Sequence, residues 1–136
     1  MKSVGVTNIA VIGFCWGGVP VVHCLSELAS DFVCGVIPHP SLRLLEMVYG
    51  IEPLSILTAV TKPVLLMPAG NDPDNLKTNG EFIKALQTNS SESETVVEFE
   101  DQQHGWVVRG DTADEAIKEK VELALQKAYA FIGKYI

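Results

Sequence analysis

What most constrains this chain is the alternation of short apolar runs with stretches of helical spacing. Asn8–Gly13 (NIAVIG), Phe32–Pro38 (FVCGVIP) and Pro63–Pro68 (PVLLMP) are aliphatic or β-branched without polar alternation. That pattern marks strands buried on both faces of a parallel sheet. Thr95–Phe99 is a fourth such run. Between them lie helical candidates at Trp16–Ala29, Leu42–Tyr49, Leu54–Ala59 and Thr78–Thr88, the last weakened by Gly80. Pro20 is tolerable only because it falls near the first turn of its helix. In the final helix Ile117, Val121, Ala124, Leu125, Ala128, Phe131 and Ile132 recur at three- and four-residue intervals. Thr112 and Glu115 have capping-box spacing ahead of it. The order β-α-β-α-β-α-β-α predicts an α/β architecture, about four parallel strands with flanking helices, in one domain spanning residues 1–136.

Composition narrows the partners. A chain of 136 residues that is 47% hydrophobic can build one core, hiding roughly two-thirds of its unfolded surface. Its formal charge of −7, from 17 acids and 10 bases, repels phosphate backbones and anionic membranes, so neither nucleic acid nor membrane is an expected partner. The acids between Glu92 and Glu122 are scattered and read as a solvated face. Cys15, Cys24 and Cys34 are too few and odd in number for a disulfide framework, which points to a reducing, cytoplasmic setting. No CxxC or Cys/His ligand spacing occurs, so no structural metal is expected. Lys2 precedes an apolar stretch, but Gly13, Trp16, Gly17, Gly18 and Pro20 interrupt it and no small-x-small cleavage site follows, against a signal peptide. Asn89-Ser90-Ser91 matches a glycosylation acceptor that a cytoplasmic chain does not use.

The chemistry concentrates at the end of the first run, in Gly13-Phe14-Cys15-Trp16-Gly17-Gly18. The pattern G-x-nucleophile-x-G is that of a strand-to-helix elbow, here with cysteine in place of serine. The turn needs small residues two before and two after the nucleophile, and it sets Cys15 at a helix N-terminus that favours a thiolate. The backbone N–H of Trp16 is the expected oxyanion donor. A buried cysteine beside a glycine-rich or phosphate-binding turn is the plainer reading of this motif taken alone. Two further residues weigh against it. Asp72 follows the third run and His104 the fourth, in the order nucleophile, acid, histidine. Asp74, after Pro73, is a rival acid in a less suitable position.

GFCWGG, an Asp past the next-but-one strand, and HG followed by an aromatic together resemble the dienelactone hydrolase family and its carboxymethylenebutenolidase-like members. His39-Pro40-Ser41 is similar to a segment of the eukaryotic-type members. The resemblance covers nearly the whole chain and implies the C-terminal portion of an α/β-hydrolase fold. It implies Cys15 as nucleophile, His104 as general base and then acid, and Asp72 as the residue orienting the imidazole. Arg109 resembles an arginine that contacts a substrate carboxylate. The implied substrate is a small ester or lactone, with no metal or organic cofactor.

The family also carries strands and loops ahead of the elbow, including a second oxyanion donor and a glutamate that holds the resting thiol. Loss of one oxyanion donor costs about 100- to 1,000-fold in turnover, so the short chain alone is expected to be weak or inactive. Asn8–Gly13 is expected to leave one sheet edge open, for a missing N-terminal segment or a second copy in a homodimer. Two other readings are an interaction module pairing through that edge, and a glutamine amidotransferase-like cysteine enzyme. His23 is expected to pack or snorkel within its helix, and Cys24 and Cys34 to fill core space. Trp106 is expected beside the histidine loop, and His39, near a strand end, is a candidate for supporting the site from behind.

Overall fold

The structure, a computed structural model, describes residues 5–89 and 95–136. Lys2 and the Ser90-Ser91 part of the glycosylation-like triplet lie outside the described residues. Three strands, β1 (Ala10–Ile12), β2 (Cys34–Pro38) and β3 (Val64–Met67), form a parallel sheet in the order β1-β2-β3. Ala10 stands opposite Cys34, and Gly35 opposite Val64. Parallel neighbours require a crossover between them. Helix α1 (Gly18–Ser26) supplies the first, and α2 (Leu44–Tyr49) with α3 (Pro53–Leu57) the second.

The fourth run lies alongside β3 without forming a continuous strand. It makes parallel bridges at Leu66–Val96 and Ala69–Phe99 only. Leu66 N–H donates to the Thr95 carbonyl, Val97 N–H to that of Leu66, and Phe99 N–H to that of Pro68. The missing rung is the one Pro68 would have to donate, and proline has no N–H. The expectation of about four strands is therefore met by three strands and a fourth, interrupted segment.

Alternation along the strands divides the core into two layers. Ile37, Val64 and Leu66 point to one face, where α1, α3 and α4 (Glu81–Gln87) bring Val21, Leu25, Leu57 and Leu86 against them. Cys34, Val36, Leu65 and Met67 point to the other, covered by Phe99, Trp106 and, from α6 (Glu115–Ile132), Ala124, Ala128 and Phe131. Helices on both faces are the reason the strands read as unbroken apolar runs. A short helix α5 (Trp106–Arg109), which the spacing does not announce, precedes α6. The cap of α6 is Asp114, whose side chain accepts from Ala116 N–H at 2.9 Å, and not Thr112. Aspartate caps as well as serine or threonine, and it stands directly before the first helical residue.

Of the apolar stripe in α6, Ala124, Ala128 and Phe131 are buried, while Ile117, Val121, Leu125 and Ile132 are half-buried. The exposure continues onto β1, which pairs on one side only among the described residues and leaves Ile12 39% exposed. Ile12, Phe14, Leu125, Ala128 and Tyr129 line a common apolar groove there. His23 is half-buried and lies 3.3 Å from Glu27 one turn on, Cys34 is fully buried, and Cys24 is half-buried. No helix among the described residues is long and apolar enough to cross a membrane.

Removing the Phe131 side chain leaves a void under α6. Phe131→Ala should lose about 3–5 kcal/mol of stability. Tyr129→Ala, at a site 67% exposed, should stay within about 0.5 kcal/mol of the parent. Urea unfolding monitored by circular dichroism measures both.

Candidate active site

The site is built where β1 ends. After Ile12 the chain turns so sharply that Cys15 takes φ 53°, a left-handed conformation uncommon for a residue with a Cβ. The next residues, Cys15–Gly17, form a single 3-10 turn that runs into α1. Space decides which glycines this turn needs. A Cβ on Gly13 would sit 2.1 Å from the Gly17 carbonyl oxygen, and one on Gly18 would sit 2.7 Å from Ile37 Cγ2. A Cβ on Gly17 would meet nothing within 4 Å. The small residues the elbow requires are thus Gly13 and Gly18, which corrects the sequence rule that assigned the second to Gly17.

The loop after β3 carries the acid. Asp72 is 5% exposed, and its Oδ2 accepts from Ala69 N–H at 2.7 Å. Its Oδ1 lies 2.6 Å from His104 Nδ1. The next loop carries His104, whose own backbone N–H donates to Asn71 Oδ1 at 2.6 Å. The far ring nitrogen, Nε2, stands 3.2 Å from Cys15 Sγ. Cys15, His104 and Asp72, predicted from three separate segments, thus meet in one hydrogen-bonded line. Asp74, the rival acid, sits in an exposed 3-10 turn and pairs with Lys77 at 3.3 Å.

Burial pushes the Cys15 thiol up, but hydrogen bonds from Ser41, His104 and the Trp16 N–H, with the His104 charge, outweigh it and hold the thiol below its ordinary range. Burial pushes His104 down, and the hydrogen bonds to Cys15 and Asp72 with the carboxylate charge outweigh it, so the imidazole is held up. The two shifts favour a thiolate beside an imidazolium.

Ser41 was singled out from the sequence only as part of a family-like segment. Its Oγ is 3.4 Å from Cys15 Sγ and 3.3 Å from His104 Nε2, and its N–H donates to the Cys15 carbonyl at 3.1 Å. His39, two residues before, is fully buried with φ 38°. Its ring stands edge-on to His104 (5.1 Å between centroids) and to Trp106 (5.4 Å). Burial, with the nearby His104 charge, lowers its pKa to about 4, so the ring is neutral. One donor atom each from Cys15, His39 and His104 lie within 4.8 Å of one another.

Comparison with known proteins fits this geometry. The profile of the dienelactone hydrolase family matches residues 1–136, the whole chain. The chain belongs to that family. It is 29% identical over 131 residues to the carboxymethylenebutenolidase homolog of Mus musculus, covering 95% of this chain and 49% of the mouse protein. The chain therefore spans about half the length of the curated relative it matches. Comparison with solved structures finds no match. Family membership decides between the two cysteine-elbow folds weighed from the sequence, in favour of the α/β-hydrolase.

Around these residues a cleft of ≈330 Å³ opens beside Ser41, Asp72 and His104, and Arg43 lines it. Arg109, singled out from the sequence, is exposed on the other side of His104 with its Nη2 3.4 Å from the His104 carbonyl. It lines a second opening that also reaches the His104 ring. Arg43 carried no signal in the sequence, because nothing in its spacing separates it from an ordinary surface arginine.

Two outcomes follow from this geometry. Alkylation of Cys15 by iodoacetamide, followed by peptide mass spectrometry, should titrate with a midpoint below the ordinary thiol range, because a lowered pKa keeps thiolate present as pH falls. Ser41→Ala removes a donor to the thiolate and should move that midpoint upward. Separately, Gly13→Ala should destabilise by about 1–3 kcal/mol through the collision with Gly17, whereas Gly17→Ala should unfold at nearly the parent urea concentration.

Proposed function

We propose that this chain carries the nucleophile, base and acid of a thiol hydrolase acting on a small ester or lactone. The observation that supports it most is the continuous line from Ala69 N–H through Asp72 and His104 to Cys15, at 2.7, 2.6 and 3.2 Å. That line ends on a residue held at positive φ beside a helix start. Cys15 is the nucleophile, His104 the general base and acid, and Asp72 the residue that fixes the imidazole tautomer.

In this reading the Cys15 thiolate attacks the carbonyl carbon and the carbonyl π pair moves onto oxygen. The Trp16 N–H, already directed at the sulfur, is the donor on this chain for that oxyanion. Collapse expels the alkoxide, which takes the proton from His104 Nε2, and leaves a thioester on Cys15. His104 then removes a proton from water, hydroxide adds to the thioester, and Cys15 departs as thiolate with release of the acid. Ser41 donates to the sulfur whenever it is negative. Arg43 and Arg109 flank His104 from two sides and suit a substrate that bears a carboxylate. No metal or organic cofactor enters these steps. The unpaired thiols of Cys15, Cys24 and Cys34 suit a cytoplasmic setting.

A specific observation favours a second element of the reading. β1 pairs on one side only among the described residues, and the groove along Ile12, Phe14 and Leu125 is apolar. We propose that a further segment of a longer protein, or a second copy of this chain, adds to this edge and brings the second oxyanion donor. The chain by itself then acylates slowly.

Stopped-flow release of p-nitrophenol from p-nitrophenyl acetate tests the assignment. A slow first turnover that ends at one p-nitrophenol per chain is expected, absent in Cys15→Ala and slowed by about 100-fold or more in His104→Gln. A first turnover that survives Cys15→Ala would remove Cys15 from the mechanism.

A further inference from the structure

The hydrolytic steps use one of the two imidazoles at this site and leave the other idle. His39 is fully buried, and neither of its ring nitrogens has a hydrogen-bond partner. Burying an imidazole in that state costs hydration that no bond repays, and its backbone is held at φ 38° as well. Packing alone does not account for it, since an apolar ring of the same shape would fill the space without that cost. The ring packs against Phe14 and Trp106, and one of its nitrogens faces a thiol and a second imidazole. One donor atom each from His39, Cys15 and His104 lie within 4.8 Å of one another, and the Cys15–His104 pair is at 3.2 Å.

We propose that Cys15, His39 and His104 form a binding site for a thiophilic divalent cation of the Zn2+ type, and that the bound ion silences the nucleophile. A thiolate with two imidazoles is a donor set of the class that holds zinc in tetrahedral sites, with the fourth position open to water. Bond lengths of about 2.3 Å to sulfur and 2.0–2.1 Å to nitrogen put neighbouring donors roughly 3.3–3.7 Å apart. Cys15 and His104, at 3.2 Å, already stand close to that spacing, and the 4.8 Å span closes with small side-chain rotations. His104 is prepared for such a bond. Its Nδ1 faces the Asp72 carboxylate at 2.6 Å, leaving Nε2 to the ion, which is the carboxylate–histidine–metal arrangement of many zinc sites.

The step balances simply. The Cys15–His104 pair releases the proton it holds between Sγ and Nε2 to solvent, the sulfur and two imidazole nitrogens donate lone pairs to the ion, and nothing is oxidised. Both the sulfur pair that attacks an ester and the His104 nitrogen that moves the proton are then occupied. Binding and turnover exclude each other. The ligands come from three separate loops, which is why no Cys/His spacing in the sequence signals the site.

The test uses the whole chain, freed of metal by a chelator and titrated with zinc chloride. Calorimetry should give one ion per chain, and one equivalent should slow iodoacetamide alkylation of Cys15 at least about tenfold, with EDTA restoring the rate. Cys15→Ser and His39→Asn should each weaken zinc binding by about tenfold or more. Zinc-edge X-ray absorption of the unaltered complex decides the ligands even if a variant fails to fold. One sulfur and two imidazoles are expected. Sulfur with a single imidazole, or oxygen and nitrogen alone, overturns the proposal. Ester hydrolysis of the metal-free chain is measured apart from this, so a failed zinc site leaves the hydrolase reading standing, and the reverse also holds.

Discussion

The approach of Gly13 to the Gly17 carbonyl is the constraint on which the rest of the site depends. Only a residue without a Cβ lets the chain reverse that tightly after β1, where an added carbon would stand 2.1 Å from oxygen. The reversal forces Cys15 to φ 53°, lifts its sulfur clear of the sheet and starts α1 close behind it. Its N–H neighbour, Trp16, is thereby pointed at the sulfur, and Ser41 is drawn in because its N–H meets the Cys15 carbonyl. Nothing in the thiol's own chemistry achieves this. A cysteine in a relaxed turn would carry neither the lowered pKa nor the partner at 3.2 Å.

The parts of this arrangement that were legible in the sequence share one property: each rests on a local pattern. The three strands are unbroken apolar runs, the elbow is a five-residue signature, and α6 shows a clear helical stripe. The order of Cys15, Asp72 and His104 was legible because parallel topology sends the end of every strand to the same edge. What escaped depends on contacts between segments or on single atoms. Pro68 breaks the fourth strand through the absence of one N–H, which an apolar count does not register. Asp114 outcompetes Thr112 as a cap by standing two positions later, directly before the helix. Ser41 and Arg43 matter because α1, β2 and the His104 loop converge on them, and no spacing in the chain encodes that convergence.

The family match extends along the whole chain, while α6 is half-exposed along part of its flank. The chain matches the dienelactone hydrolase profile along its whole length yet spans 49% of the mouse relative. On the structure, the layer built from Phe131, Ala128 and Ala124 is complete beneath β2 and β3 and thins out toward β1. The acid and histidine lie on the well-packed side. The nucleophile lies on the thin side, at the end of a strand paired along one edge.

The bonds around Asp72 and His104 have a mechanical consequence. The two loops are fastened to each other twice, by His104 N–H to Asn71 and by imidazole to carboxylate, each at 2.6 Å. The Asp72 carboxylate is held a third time by Ala69 N–H, two residues past the end of β3. Across from this bracket, His104 Nε2 meets the Cys15 sulfur at 3.2 Å. Acid and histidine therefore behave as one stiff jaw and the elbow as the other, and whatever widens or narrows the site changes a single gap, the one in which the sulfur and the imidazole face each other.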